Sequence, residues 1–446
     1  MAVVVDQAKL ILNSFAAIFQ NNLISKDLVT WRKHDAEMND RNRLTVVEQV
    51  VPNYIVQQTV DGVADLTTGV QDTVFGSEQY ILNRTFASSM GWGDFVKIRD
   101  IGQARESEAL KSAALKLATQ IDAYILGFAT LASNNWTGAG AATGAAIDSF
   151  DDIASGFTRL KEEGVEDPDL RAVLTYGDKQ ALASQILYGN GAAAAAVGNA
   201  ALPGLGDGMY REGFSGSIAG IPTLFTQQLP TMTTGTRTAT GTVAGANQNV
   251  NYSAVAVSPA PGQYMTQTIN LAGAGAAGTI VDGEVFTIAG VFAYDNRLQA
   301  TLAPRLQQFR VIGNYTADGA GAVANVRIFP AIIVPAAGTI GTNAVNTAHA
   351  TVSAAPANGA VVTWVGAPST AIKPRLLMNK NAVIVNTADL ITPATGTSSR
   401  KSLTKVPLSV RMWQDSVFAT GEHRIRFDVA LTANIVDRRR LVRVNG

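Results

Sequence analysis

The chain has 446 residues, of which 47% are apolar and 16% are charged, and its 35 basic and 35 acidic residues give a net charge of zero. This composition excludes a disordered chain, and the neutral balance lacks the overall electrostatic footprint of a nucleic-acid binder. The absence of cysteine excludes disulfides and thiolate chemistry. Because soluble domains are typically ~25% charged, the low charge is consistent with a chain that hides surface against copies of itself.

The N-terminal sequence MAVVVDQAK lacks the basic first region of a signal peptide. No uninterrupted run of ~18 apolar residues appears, so we expect no membrane span. The sequence therefore predicts a protein that is made and used in a cytoplasm-like compartment.

The sequence of the first third of the chain predicts an amphipathic helix, a polar arm, an extended loop and one long helix, which we call the rod. Residues 6–24 form an amphipathic pattern, residues 25–44 are a polar arm or linker, and residues 45–82 are rich in Val, Tyr, Ile and Thr, which favours a long β-hairpin or extended loop. Apolar residues then recur at spacings of four and three, at Leu110, Ala114, Leu117, Ile121, Tyr124, Phe128 and Leu131. This spacing predicts one helix of about 28 residues, more than twice the usual length.

A heptad stripe of this kind is also typical of a coiled coil, so two interpretations of the rod remain. One is a long helix that lies across a sheet within one subunit, which the neighbouring alanines favour. The other is dimerisation through a coiled coil.

The rest of the chain divides by composition. Residues 148–190 predict a helix, a short buried strand and a second helix, and the Gly/Ala-rich residues 191–208 predict a mobile loop. Residues 215–230 predict a strand pair. From 231 to 352 the chain is rich in Thr, Ala, Gly and Val with five or six strand-like runs, which indicates an inserted β-barrel or sandwich that folds alone. Half-buried strands follow in residues 353–446.

Residues with catalytic or ligand-binding chemistry are scarce. The three histidines, His34, His349 and His423, lie far apart and are interpreted as structural or surface residues. A Gly-x-Gly-x-x-Gly match at residues 273–278 is interpreted as chance, because a strand pattern follows it where a nucleotide site needs a helix. The acidic pairs at 151–152 and 162–163 are interpreted as solvated charge. We therefore predict no catalytic residue, cofactor or metal.

A basic cluster near the C-terminus leaves two interpretations open. Its members are Arg438, Arg439, Arg440 and Arg443. They form either a solvated chain end or a surface for packaged nucleic acid or a neighbouring subunit.

The order of these parts resembles a known family. The stretches ALKSAALKLATQIDAYILGFATLAS, YREGFSGSIAGIPTLFTQQLPT, DGEVFTIAGV and LQQFRVIGNYTADG resemble its long helix, the approach to an insertion and strands within that insertion. The chain is thus similar to the tailed-phage major capsid (coat) proteins of the Hong Kong 97 (HK-97) fold. The extra β-domain narrows the resemblance to P-22-like coat proteins, which carry an inserted β-barrel.

The resemblance implies an α+β, HK-97-like fold with a long spine helix, an extended β-loop, peripheral and axial domains and an inserted all-β domain. The implied divisions are an N-terminal arm (1–44), extended loop (45–95), peripheral domain with spine helix (96–147), axial domain (148–230 and 353–420), inserted domain (231–352) and C-terminal peripheral strands (421–446). Spine packing would use Leu110, Leu117, Ile121, Tyr124, Phe128 and Leu131. The loop would touch a neighbouring subunit through Glu48, Tyr54, Asp61, Asp65 and Phe75.

The implied function is assembly into the pentamers and hexamers of an icosahedral head around double-stranded DNA, which is held without sequence specificity. A separate scaffolding protein and a portal protein are the implied partners. The implied location is the virion, after assembly in the host cytoplasm.

Two departures from the wider fold are visible in the residues. Some members crosslink a loop lysine to an asparagine of a neighbour, but no lysine lies between Lys33 and Lys97, so we predict no such bond. Some members carry a long scaffolding region that is cut away, but only residues 1–44 precede the loop here, so we predict a separate scaffolding protein and no large pro-segment.

Two other protein classes stay open on sequence alone. A phage tail, fibre or surface binding protein would also carry a β-domain, although the long helix and split α/β region disfavour it. An enzyme would need a nucleophile and base, and the sequence offers no convincing pair.

Overall fold

The computed structural model describes residues 2–38, 44–50, 53–56, 75–92, 108–138, 145–165, 169–188, 217–218, 221–252, 264–336, 341–393, 397–416, 423–435 and 438–446. The helices are α1 (Ala2–Asn22), α2 (Glu108–Ala132), α3 (Phe150–Glu162), α4 (Tyr176–Tyr188) and α5 (Gly341–Ala348). The strands of the first half are β1 (Thr30–Met38), β2 (Leu44–Val50), β3 (Gly76–Leu82), β4 (Thr85–Trp92), β5 (Asn135–Thr137), β6 (Leu170–Leu174), β7 (Ser217–Ile218) and β8 (Ile221–Phe225). Those that follow are β9 (Met232–Thr233), β10 (Thr240–Val243), β11 (Gln267–Ala272), β12 (Thr279–Ile280), β13 (Val285–Asp295), β14 (Ala300–Val311), β15 (Tyr315–Thr316), β16 (Val323–Phe329) and β17 (Val361–Trp364). The last are β18 (Ala371–Ile372), β19 (Arg375–Asn379), β20 (Val383–Leu390), β21 (Thr397–Ser402), β22 (Ser409–Ser416), β23 (His423–Ile435) and β24 (Leu441–Val444).

The chain divides into two compact units. The first contains residues 1–47, 79–128 and 380–436, and the second contains residues 48–78, 129–379 and 437–446. Strands β2 and β3 pair with each other, so the segment predicted as a hairpin or extended loop has a paired β base. Its residues 57–74 lie outside the described ranges.

The first unit is built on one sheet with the strand order β1-β20-β23-β22-β21, and β4 also pairs with β23. Helix α1 packs on β21 and β22, and the ring of its Phe15 stacks on Phe427 of β23 with a centroid distance of 3.8 Å. Residues 30–38, predicted as part of a polar arm, are instead strand β1, which pairs in parallel with β20. A salt bridge of 2.9 Å from Lys33 to Asp389 helps to hold this edge of the sheet. This charged residue of β1 therefore contacts a neighbouring strand and does not belong to a free linker.

The long helix α2 has the predicted periodicity and adds a buried charge. Its carboxylate Asp122 is fully buried and accepts hydrogen bonds from the backbone N–H groups of Ile24 and Ser25, each at 2.9 Å. Burial raises the pKa of Asp122 although these bonds oppose the rise. The contact fixes the turn that leads from α1 to β1, because those two N–H groups would otherwise lack partners.

The second unit contains a six-stranded sheet in the order β5-β24-β19-β6-β8-β7. Helix α3 begins with a capping box between Ser149 and Asp152 and buries Ile153 and Leu160 against this sheet. Asp178 of α4 is buried and is bound by the guanidinium of Arg375 at 2.6 and 2.9 Å. Burial opposes ionisation of Asp178, but the bonds from Arg375 and Thr175 outweigh it and lower its pKa.

A closed barrel in the second unit has the strand order β10-β11-β16-β14-β13-β17. Its core includes Phe286, Phe309 and Trp364. The closing strand β17 pairs with both β10 and β13 and lies beyond residue 352, the predicted limit of the insertion. The two ends of the inserted segment meet where β9 pairs with β18, so the barrel leaves and rejoins the chain at one neck.

The barrel is joined to the six-stranded sheet within this unit by side chains of β14. The amide of Gln308 accepts from the N–H of Trp136 and donates to its carbonyl, both at 2.8 Å. Arg305 binds Glu162 at 2.7 Å and also binds Glu163 at the end of α3. These acidic residues are therefore ion-pair partners, which corrects their interpretation as solvated charge.

Two further expectations need correction. The insertion is not all-β, because helix α5 lies within it, and its small residues Ala344 and Ala348 give only a weak sequence signal. The C-terminal strands also separate: β20–β23 belong to the first unit, whereas β24 pairs with β19 and β5 in the second. Local alternation cannot reveal such long-range pairing.

We propose that the independently folding insertion extends from residue 231 to 373. A fragment 231–373 should give a dispersed NMR spectrum, because it contains the closing strand and the neck. A fragment 231–352 should lose dispersion, because removing β17 unpairs β10 and β13 and deletes Trp364 from the core. Equal dispersion and equal urea midpoints for the two fragments would show that β17 is dispensable.

Candidate assembly surfaces

Large apolar side chains are exposed in the described parts of the extended loop that precede and follow residues 57–74. Nine large apolar residues are exposed in the described part of the chain, and four of them are Val47, Tyr54, Val56 and Phe75, with exposures of 60%, 52%, 83% and 51%. Such a concentration in few described residues is typical of a surface that another protein covers.

The other predicted contact residues of the extended loop are three acidic residues. Glu48 is half-buried within β2. Asp61 and Asp65 lie outside the described residues. Ile55, between the exposed Tyr54 and Val56, is buried against α5 and anchors this part of the loop segment.

The predicted packing residues of the long helix α2 differ in burial, with the N-terminal ones more buried than the C-terminal ones. Leu110, Leu117 and Ile121 are buried, with exposures of 1%, 4% and 0%. Tyr124, Phe128 and Leu131 are half-buried. The hydroxyl of Tyr124 accepts from the N–H of Ala433 at 3.3 Å, so a residue read as apolar packing also makes a polar bond to β23.

The four predicted basic residues do not form one surface. Arg438, Arg439 and Arg440 form a short 3-10 turn in which Arg439 is exposed and the other two are half-buried. The guanidinium of Arg438 lies 4.4 Å from the ring centroid of Phe329. Arg443 is fully buried, so its predicted role at an interface or against DNA is wrong.

The guanidinium of Arg443 binds backbone carbonyls instead of a partner molecule. It donates to Gly283 at 2.7 Å and to Leu131 at 3.2 Å, and it also binds the carbonyl of Ser133. Its carbon lies 5.0 Å from the ring centroid of Trp136. Burial and the charge of Arg310 lower the pKa of Arg443 to about 9. Arg443 is therefore a structural residue that cross-links β24, the end of α2 and the barrel.

The histidines occupy separate places. Nε2 of His34 lies 2.9 Å from the amide oxygen of Asn386. His349 is 5% exposed and stacks on Tyr252 with a centroid distance of 3.7 Å. Burial, together with the nearby Arg439, lowers the pKa of His349 to about 4. The backbone of His423 pairs with Trp92 at the start of β23.

Other chemical signals have structural explanations. The Gly-rich match at 273–278 is the turn between strands β11 and β12, so it lacks the helix that a nucleotide site requires. No group of three potential metal ligands occurs among the described residues. Over the same ranges, no helix is long and apolar enough to cross a membrane.

The sequence profile of the family described as P22 coat protein - gene protein 5 matches residues 78–439. The chain belongs to the P22 coat protein family. It is therefore a bacteriophage coat protein, as its resemblance to tailed-phage capsid proteins indicates. The match favours the capsid interpretation over the tail or fibre alternative, and it spans the long helix α2, the barrel and the strands of the two sheets other than β1 and β24.

The chain is similar to several solved structures at low sequence identity. The capsid structure of the cyanophage P-SCSP1u has 10% identity and a TM-score of 0.41, covering 95% of this chain and 88% of that chain. A structure of Mycobacterium phage Che8 has 11% identity and a TM-score of 0.38, covering 90% and 84%. The family assignment rests on the sequence match alone. Among curated proteins, none matches this sequence.

We expect Arg443→Ala to lower the free energy of unfolding of the coat protein by about 3–5 kcal/mol, because it leaves carbonyls without a donor and opens a cavity. Urea titration followed by tryptophan fluorescence measures this, since Trp136 is adjacent. The exposed Arg439→Ala is the matched control and should change stability by less than ~1 kcal/mol. An unchanged free energy of unfolding in Arg443→Ala would contradict the structural role of this residue and favour its original placement at the surface.

We expect His349 to make the coat protein less stable in acid. Its pKa is lowered to about 4, so between pH 6.5 and pH 4 the unfolded chain binds a proton that the folded chain does not. Stability is full above pH 6.5 and falls towards pH 4, by about 3 kcal/mol from this group.

His349→Phe keeps a ring on Tyr252 and removes the titration. Its urea midpoint should therefore fall less than that of the parent protein between pH 7 and pH 4. The control His34→Gln retains His349 and should follow the parent curve. Parallel curves for the parent and His349→Phe would contradict this assignment.

Proposed function

We propose that this coat protein is the major capsid protein that assembles into the pentamers and hexamers of an icosahedral head around double-stranded DNA. The observation that carries the proposal is the family match over residues 78–439. The protein would be assembled in the host cytoplasm and reside in the virion. The low charge content supports the proposal, because obligate interfaces are large and apolar.

The two units suit the domains of an HK-97 fold. We assign the first unit to the peripheral domain. This unit contains α1, most of α2 and the sheet formed by β1, β20, β23, β22, β21 and β4. We assign the sheet of the second unit to the axial domain at the capsomer centre, with the barrel as the inserted domain. A 25-residue helix such as α2 is suited to brace a thin plate, since it spans ~37 Å at ~1.5 Å per residue.

The extended loop is proposed as a contact with a neighbouring subunit. Its exposed Val47, Tyr54, Val56 and Phe75 support this, since covering them would remove apolar surface from water. Glu48, Asp61 and Asp65 remain proposed contact residues of the same loop.

The partners are proposed from the family. A separate scaffolding protein would direct assembly, and a portal protein would occupy one vertex. Contact with DNA would be weak and independent of sequence, because the chain has no net charge and Arg443 of the basic cluster is buried. Arg438, Arg439 and Arg440 stay proposed for this contact.

The function is proposed to be non-catalytic and free of covalent crosslinks. No lysine lies between Lys33 and Lys97, so the loop has no side-chain amine for an isopeptide bond. Shell strength would then come from non-covalent contacts, including those of the barrel.

Sedimentation velocity and negative-stain microscopy test this function on the purified chain, with and without the scaffolding protein of the same phage. We expect shells or capsomers with five- and six-fold symmetry when both proteins are present. A denaturing gel of the shells should show only the single-chain band. A monomer that never assembles would contradict the capsid function, and a ladder of higher bands would contradict the absence of crosslinks.

A further inference from the structure

The sheet of the first unit presents three outer strands, and they differ in charge. Strand β1 carries Arg32 and Lys33, and β21 carries Arg400 and Lys401. Strand β4 has the sequence TFASSMGW and contains no charged residue and no proline. Charged residues and prolines are the usual means by which a protein prevents its edge strands from pairing with another chain. Two edges are thus guarded and the third is not.

The geometry of β23 leaves one side of β4 open. Residues 423–428 of β23 pair with β22, and residues 423–430 pair with β4, so these two strands lie on opposite sides of β23. Among the described residues, no strand pairs with the far side of β4. Its exposed side chains Thr85, Ala87 and Ser89 are small, which leaves the backbone accessible.

The strand is also held in a fixed position. All eight of its residues are in register with β23, and Phe86 packs on the ring of Tyr124 with a centroid distance of 5.4 Å. The guanidinium of Arg84 lies 4.8 Å from the centroid of the same ring. A strand fixed on one edge and one face presents its remaining N–H and C=O groups as a preorganised template.

We propose that the open edge of β4 is an interface that pairs with an extended segment of a second copy of this chain. The inference rests on the proposed function, because the proteins that surround a coat subunit in a shell are copies of it. Because β4 carries no charged residue, bringing it against an identical chain desolvates no charge on this edge and places no like charges of β4 together. Main-chain hydrogen bonds would supply the contact, as in other strand additions.

Hydrogen exchange of the wild-type chain tests the pairing directly. Peptides covering residues 85–92 are compared between unassembled subunits and shells freed of scaffolding protein. About half of these amides point away from β23, and we expect them to exchange at least tenfold more slowly in shells. The peptide 397–402 from the guarded β21 edge is the matched reference and should not change.

Each outcome separates the two proposals. Shells in which residues 85–92 exchange as in the free subunit overturn the edge pairing and leave the capsid function intact. Shells that still contain scaffolding protein are a third sample, and protection found in them but not in the freed shells assigns the edge to that protein and overturns the pairing between copies. A chain that forms no shells overturns both proposals.

Lysine substitutions give a second test. Thr85→Lys and Ala87→Lys place a charge beside the open edge at exposed positions that do not lie opposite a cation of β23, and we expect each to lower the yield of shells at least tenfold while the urea midpoint of the subunit is unchanged. Ser402→Lys adds the same charge to β21, next to Lys401, and should leave the yield unchanged. Normal yield from both β4 variants would contradict the proposal.

Discussion

The second unit depends on a buried guanidinium that has carbonyl partners instead of a carboxylate. Removing an arginine from water is expensive, so Arg443 is tolerable only where fixed backbone oxygens meet its N–H groups. The carbonyls that do so belong to Leu131, Ser133 and Gly283, which come from the end of α2, the turn after it and the approach to β13. Because these segments are distant in sequence, one side chain fixes the helix end, the C-terminal strand and the barrel in a single arrangement.

The same use of charge recurs elsewhere in the core. Arg237 and Glu284, both fully buried, meet at 2.9 Å inside the neck of the barrel, and Asp178 is bound by Arg375 beneath the second sheet. A chain with only 16% charged residues thus places several of them internally. Its surface is therefore less charged than the composition suggests, and this suits a subunit whose surface is to be covered by others.

Local patterns were sufficient to predict α2, α3 and most barrel strands, because each has a clear period or turn signal. They were insufficient where a distant partner decides the structure. Strand β1 has the polar sequence of a linker but pairs with β20. Every residue of Leu441–Val444 is buried, so grouping Arg443 with the neighbouring arginines placed it wrongly at the surface. Among the predicted site residues, Tyr54 and Phe75 are exposed as a contact would require, whereas the open edge of β4 had no sequence signal until its pairing was known.

Strand pairing offers a coat subunit geometric precision rather than strength. Each net hydrogen bond contributes only ~1 kcal/mol, so a single edge contact is weak. Its register, however, is restricted, because a slip of one residue moves every side chain to the opposite face. Phe86 and its ring contact with Tyr124 fix which face of β4 points inward, so an added strand must keep the same alternation. A weak contact with a defined register is suited to setting the angle between neighbours while leaving each step of assembly reversible.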